Sequence, residues 1–177
     1  FPNGRIGLHE MHLAETSGKL IGIMGGSGSG KSTLLNVLNG NLKPSKGTVT
    51  INGIDVHADA DRIRGVVGHI SQDDLLIEEL TVFQNLYFNA RLCFGDLSKT
   101  EIAKRVLALL QSLGLYDTKD LKVGTPLDKT ISGGQRKRLN IALELIRELS
   151  VLFVDEPTSG LSSRDSENIM DLLKELA

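Results

Sequence analysis

Three short stretches of the sequence carry residue types that could do phosphate chemistry. The first, Gly25-Gly26-Ser27-Gly28-Ser29-Gly30-Lys31-Ser32, satisfies the pattern G-x-x-x-x-G-K-[ST]. Its glycines let the backbone curl so that several N–H groups point at one phosphate chain, and the helix expected next adds its N-terminal dipole. Lys31 is spaced to reach the terminal phosphates, and the Ser32 hydroxyl to coordinate magnesium. Chance gives this pattern on the order of once in a hundred chains of this length. Here it also lies between an apolar run and a helical stretch, the context such a loop needs. The loop alone does not separate a kinase, a GTPase, a helicase or a pump.

The second stretch is VLFVDEP, which puts Asp155 at the end of an apolar run. A carboxylate buried there is costly unless it meets a cation or donors, and magnesium on Ser32 is the partner to expect. Adjacent side chains of an extended strand point to opposite faces, so Asp155 and Glu156 do not both meet the metal. Pro157 biases Glu156 towards an extended conformation, which leaves it facing a water beside the γ-phosphate as a general base. The plainer alternative is a charged strand end before a turn.

The third stretch is ISGGQRKRL, Ile131 to Leu139. Ser132 and Gln135 have the spacing of a capping box. That leaves Gly133 and Gly134 unexplained, because each weakens a helix and is useful where a ligand must approach bare backbone. Arg136, Lys137 and Arg138 crowd the positive end of the helix dipole, which suits an anionic partner. Leu139, Ala142, Leu143 and Ile146 form a stripe fit for burial, so a weak start is tolerated.

Elements that could position these residues are legible around them. Apolar runs at 19–24 (KLIGIM), 66–70 (VVGHI) and 151–155 (VLFVD) read as buried strands. The alternating stretch 48–56 turns at Asn52-Gly53, as an exposed antiparallel hairpin would. A helix is expected over 32–39, ending at Gly40. Thr81-x-x-Gln84 opens another, with Val82, Leu86 and Leu92 on its apolar face. Ile102, Val106, Leu109, Leu110 and Leu113 line one side of a third. Strands thus flank a helical block, which predicts a mostly parallel α/β core with a small antiparallel sheet and an inserted helical subdomain.

Composition narrows the partners. The 177 residues are 40% hydrophobic and 24% charged, enough for one domain with a subdomain, and the net charge of -2 gives no general attraction to nucleic acid. The single Cys93 excludes an internal disulfide and fits a reducing compartment. His9 and His12 have no zinc-ligand spacing and read as surface residues. No apolar run approaches the ~20 residues that cross a bilayer, and no secretory signal is present. The sequence opens on Phe1 and stops inside an expected helix, so it reads as a piece of a longer protein.

Taken together, Gly25–Thr33, Gln72 after a strand, Ile131–Gln135 and Val151–Pro157 resemble the nucleotide-binding domain of ABC (ATP-binding cassette) ATPases. The resemblance covers essentially the whole chain, with the motifs in the family's order. SGGQRKRLNIALEL followed by DEPTSGL is most similar to the ABCG, or White, branch of exporters. It implies a P-loop NTPase core over about 1–74 and 131–177 and a helical subdomain over about 75–130, cut before the family's switch histidine. It also implies an ATPase that uses ATP and Mg2+. Two such domains would pair head to tail, with Ser132, Gly133, Gly134 and Gln135 of one closing on the γ-phosphate held by Gly25–Thr33 of the other.

By the same resemblance Lys31, Gln72 and Glu156 would be catalytic, and Ser32, Gln72 and Asp155 would address the metal. Gln72 would pass closure to a membrane domain, fused or separate, on the cytoplasmic side of a membrane. The stretch VFQNLYF would line the docking groove, although Phe83 and Tyr87 read equally well as core. Phe1 stands at the distance expected of an adenine-stacking aromatic. The family's D-loop ends in an acid, where this chain has Ser162. Two alternatives are weighed against transport. A clamp acting in DNA repair or translation would carry coiled-coil, zinc or basic insertions, and a small-molecule kinase would leave the glycine signature and Gln72 unexplained.

Overall fold

In the computed structural model, which describes residues 6–63, 65–125 and 130–177, the chain runs α1 (Lys31–Leu38), β1 (Thr50–Ile51), β2 (Ile54–Asp55), α2 (Ala60–Ile63), β3 (Val67–Ile70), α3 (Val82–Cys93), α4 (Lys99–Ser112), α5 (Gly133–Leu145), β4 (Val151–Val154) and α6 (Ser163–Glu175). Asn52 and Gly53 take left-handed φ values of 53° and 76°, as a tight hairpin turn requires, and β1 pairs antiparallel with β2. Thr81, Ser98 and Ser132 each cap a helix and close a full capping box, with Gln84, Glu101 and Gln135 reaching back.

The apolar stripes meet in two clusters. Val82, Leu86 and Ala90 of α3, Ile102, Val106 and Leu110 of α4, and Leu139, Ala142 and Leu143 of α5 are buried together, with Phe83 and Tyr87 packed against them. Ile141 of α5 turns the other way, to Ile70 of β3 and Ile169 and Leu173 of α6. Helix α5 therefore belongs to both clusters. Leu92, expected on the buried face of α3, is 88% exposed, because the stripe that reaches α4 and α5 runs through Val82, Leu86 and Ala90 instead.

β3 and β4 pair in parallel, Val67 with Val151 through Ile70 with Val154, so both strands end on the same edge of the sheet. Residues 19–24, expected as a third buried strand, form none; Leu20, Ile21, Ile23 and Met24 are exposed. A strand exists only through a ladder partner, and among the described residues none pairs with this run. Among the described residues, no helix is long and apolar enough to cross a membrane. Phe1 lies outside the described residues.

Candidate functional site

The loop Gly25–Gly30 leads directly into α1, whose first residue is Lys31. Gly28 and Gly30 have φ of 75° and 94°, and a Cβ on Gly25 would stand 2.6 Å from the Ser29 hydroxyl. Side chains at these points would strain or fill the curl. No side chain caps α1, so its first-turn N–H groups stay open as donors to an anion. The Lys31 ammonium donates to the carbonyls of Gly25 and Gly26, both at 2.9 Å, and so lies over the same concavity. Ser32 and Thr33 follow in the first turn of the helix. Left-handed glycines, open amides and one ammonium form the donor set that a polyphosphate needs.

At the shared end of β3 and β4, the Asp155 amide donates to the Ile70 carbonyl at 2.9 Å. The residues just beyond, Ser71-Gln72 and Asp155-Glu156, are thereby brought side by side. Gln72 Nε2 reaches the Ser159 hydroxyl at 3.5 Å, a marginal bond between two exposed side chains. Asp155 is half-buried rather than sealed in the core, and Glu156 is exposed. Among the described residues, no hydrogen bond or ion pair joins Lys31 or Ser32 to Gln72, Asp155 or Glu156. The exposed Ser32 hydroxyl and the half-open Asp155 carboxylate are oxygen donors of the kind a magnesium ion takes.

The backbone at Glu156 departs from the expected extended form, with φ of +45°. Glu156 opens a turn in which the Ser159 amide donates to its carbonyl at 3.1 Å. Pro157 disfavours the right-handed helical region for Glu156, and the chain makes its turn with Glu156 in the left-handed region instead. Such a position costs a non-glycine residue on the order of 1 kcal/mol.

The start of α5 shows what surrounds each of its bare positions. Gly134 is buried, and a Cβ on it would collide with the Asp165 side chain in the first turn of α6. Its bareness thus has an in-chain reason, whereas Gly133 is partly open and its Cβ would make only an ordinary 3.5 Å contact with Leu161. Ser132 and Gln135 close the capping box at 3.1 and 2.8 Å. Ser162 caps α6 by accepting from the Asp165 amide at 3.1 Å, a role that serine and aspartate fill equally.

The basic triplet does not face an outside anion. Arg136 pairs with Asp74 at 2.9 Å and donates to the carbonyls of Gly124 at 2.6 Å and Val123 at 3.3 Å. Lys137 donates to the Ser71 carbonyl at 3.3 Å, and Arg138 to the Leu113 carbonyl at 3.1 Å. Burial holds the Lys137 ammonium below its ordinary pKa, opposed by the charges of Asp74, Asp155 and Asp73. Asp74, Asn140 and Asp165 carried no signal of these contacts except the repeated acid of Gln72-Asp73-Asp74.

These contacts set two helix variants apart. Gly134→Ala should lower the melting temperature by several degrees, since its Cβ must displace Asp165, whereas Gly133→Ala should leave it unchanged or raise it. Thermal unfolding of the two proteins, side by side, checks the contrast. Equal melting temperatures would remove the in-chain reason for Gly134.

Residues 8–159 match the family described as ABC transporter. The chain is similar to the ABC-type transporter claG of Penicillium crustosum, 40% identical over 161 residues, 90% of this chain and 21% of that protein. It is equally similar to ABC transporter G family member 23 of Arabidopsis thaliana, 40% identical over 177 residues, 96% of this chain and 28% of that protein. It thus spans less than a third of the length of these relatives. Among solved structures it superposes on cbiO1 from Clostridium perfringens, part of the ABC transporter complex cbiONQ, with a TM-score of 0.81 at 34% identity over 93% of this chain and 64% of that one. It also superposes on the ATP-binding cassette MJ0796, dimeric in a post-hydrolysis state with ADP and Pi, with a TM-score of 0.77 at 33% identity over 96% of this chain and 74% of that one.

Proposed function

The chain belongs to the ABC transporter family, with the P-loop NTPase fold of its ATPase domains, and from that premise we propose that it is the ATP-hydrolysing domain of a transporter. It would pair head to tail with a second such domain around two MgATP and drive a substrate through a membrane domain. One observation carries the chemistry: the parallel register of β3 and β4, which sets Gln72 beside Asp155 and Glu156. Residues about 1–74 and 131–177 are read as the core and about 75–130 as the helical subdomain, working on the cytoplasmic side of a membrane.

In this reading the loop amides of Gly25–Ser32 and the α1 dipole bind the phosphate chain. Lys31 leaves the carbonyls of Gly25 and Gly26 for the terminal phosphates. Ser32, Asp155 and Gln72 would hold magnesium, which supplies neutralising charge as the leaving oxygens become negative. Glu156 accepts the proton of the attacking water at its carboxylate, and Gln72 orients that water. Across the dimer, the exposed Ser132 hydroxyl and the partly open Gly133 backbone would face the partner's γ-phosphate.

The membrane partner has a suitable landing place. Phe83 and Tyr87 stack at 5.4 Å and serve the core, but Phe88 is 48%, Leu75 69% and Ile77 53% exposed, close along the chain to Gln72 and α3. A membrane-domain partner would dock over these exposed apolar side chains.

Head-to-tail pairing is tested by cysteines at Ser29 and Ser132 of the full-length parent, in a Cys93→Ser background because Cys93 is itself exposed. ATP should produce a disulfide-linked band of twice the mass. A bond formed within one chain, or one indifferent to ATP, defeats the pairing.

A further inference from the structure

We propose that Lys137, Arg136 and Asn140 are positioning residues that hold Gln72 in register with the start of α5, so that a chain's phosphate-facing turn and its own water-facing glutamine move as one unit. The proposal rests on the reading of Gln72 and α5 given above.

Three side chains on adjacent turns of α5 grip the segment on both sides of Gln72. Lys137 holds the Ser71 carbonyl at 3.3 Å, Arg136 holds the Asp74 carboxylate at 2.9 Å, and the Leu75 amide donates to Asn140 Oδ1 at 3.5 Å. All three are buried: Arg136 is 5%, Lys137 6% and Asn140 4% exposed. The glutamine they bracket is exposed and has only its 3.5 Å contact to Ser159. Its position is therefore fixed through the backbone of its neighbours rather than through its own side chain.

A purely structural role fits these residues poorly. Burying an ammonium is costly, and an apolar side chain of similar length would fill the same space at no electrostatic cost. What the ammonium adds is a grip on one carbonyl, one residue before Gln72, with the negative charges of Asp73, Asp74 and Asp155 around it. The Arg136 guanidinium extends the grip to the carbonyls of Val123 and Gly124, so the same helix start also holds the end of the helical block. A partner's phosphate docking on Ser132 and Gly133 would then bear on the chain's own Gln72 through about one turn of rigid helix.

A double-mutant cycle in the full-length parent tests this. Lys137→Met should lower kcat for ATP at least about fivefold while KM stays within about twofold. In a Gln72→Ala background it should cost less than about twofold, because the glutamine that it positions is already gone. In nucleotide-free protein, amide exchange over residues 71–75 should quicken. Unchanged kcat, full multiplicative losses in the double variant, or unaltered exchange would each overturn the proposal. If Lys137→Met does not fold, Asn140→Ala, which removes only the Leu75 contact, is carried through the same cycle with the same criteria. Failure of the Ser29–Ser132 cross-link would strike the head-to-tail reading and, with it, the partner's phosphate as the load on α5, while the cycle, which lies wholly within one chain, decides separately whether these residues position Gln72.

Discussion

Glu156→Gln should keep ATP binding within about twofold of the parent and lose roughly 100- to 10,000-fold of steady hydrolysis, the range that a positioned general base supplies. Glutamine matches the shape of glutamate but cannot take the water's proton. Glu156 is exposed beyond the end of β4, at the start of the turn whose Ser159 hydroxyl meets Gln72, which leaves its carboxylate open to a water. The loss should fall on kcat and not on KM, as for an interaction made only in the transition state. Steady-state turnover and a fluorescent-ATP titration of the full-length protein measure the two quantities. Wild-type turnover in this variant would eliminate Glu156 as the base.

The second large effect comes from mixing two inactive proteins. Lys31→Ala removes the loop's only side-chain cation and should weaken MgATP binding about 10- to 100-fold, the worth of one charge-assisted bond. Gly133→Asp puts a carboxylate where the partner's γ-phosphate would dock. It is a better choice than Gly134, whose Cβ position is taken by Asp165, because a Cβ at Gly133 meets only Leu161 at 3.5 Å. Each homodimer has two damaged sites. In a mixed dimer acting in trans, one site carries both lesions and the other is intact. Random mixing should then restore about a quarter of wild-type turnover. If the signature served its own chain's loop, every site would keep a lesion and mixing would restore nothing. Cross-linking counts the mixed dimers, so that absence of recovery is read against demonstrated pairing.

Much of this arrangement was legible in the sequence because it depends on local spacing. The three capping boxes needed only Ser or Thr three residues before Gln or Glu, and the hairpin needed only Asn52-Gly53. The strands at Val67–Ile70 and Val151–Val154 stood out as apolar runs, and the candidate residues Gln72, Asp155 and Glu156 follow their ends. The misreadings share a cause: a sequence shows residue type but not direction. Arg136, Lys137 and Arg138 looked like a charged mouth for an anion, yet successive helix positions differ by about 100° and these turn inward to Asp74, Ser71 and Leu113. The in-chain reason for a bare Gly134, the Asp165 side chain of α6, is likewise a property of the fold that the sequence does not show. Residues 19–24 have the composition of a strand, but a ladder partner is a property of the fold and not of the run.

The left-handed backbone at Glu156 bears on how this protein tolerates change. A residue held at φ +45° is one that the fold itself would exchange. Asparagine accepts that conformation far more readily than glutamate. Glu156→Asn should therefore unfold at a temperature equal to or above that of the parent while hydrolysing almost nothing. Screens that reward solubility or thermal tolerance would then enrich substitutions at the residue we propose as the general base. Selection for stability and selection for hydrolysis pull this one position in opposite directions, so a stabilised variant of the domain should be sequenced at Glu156 before its activity is interpreted.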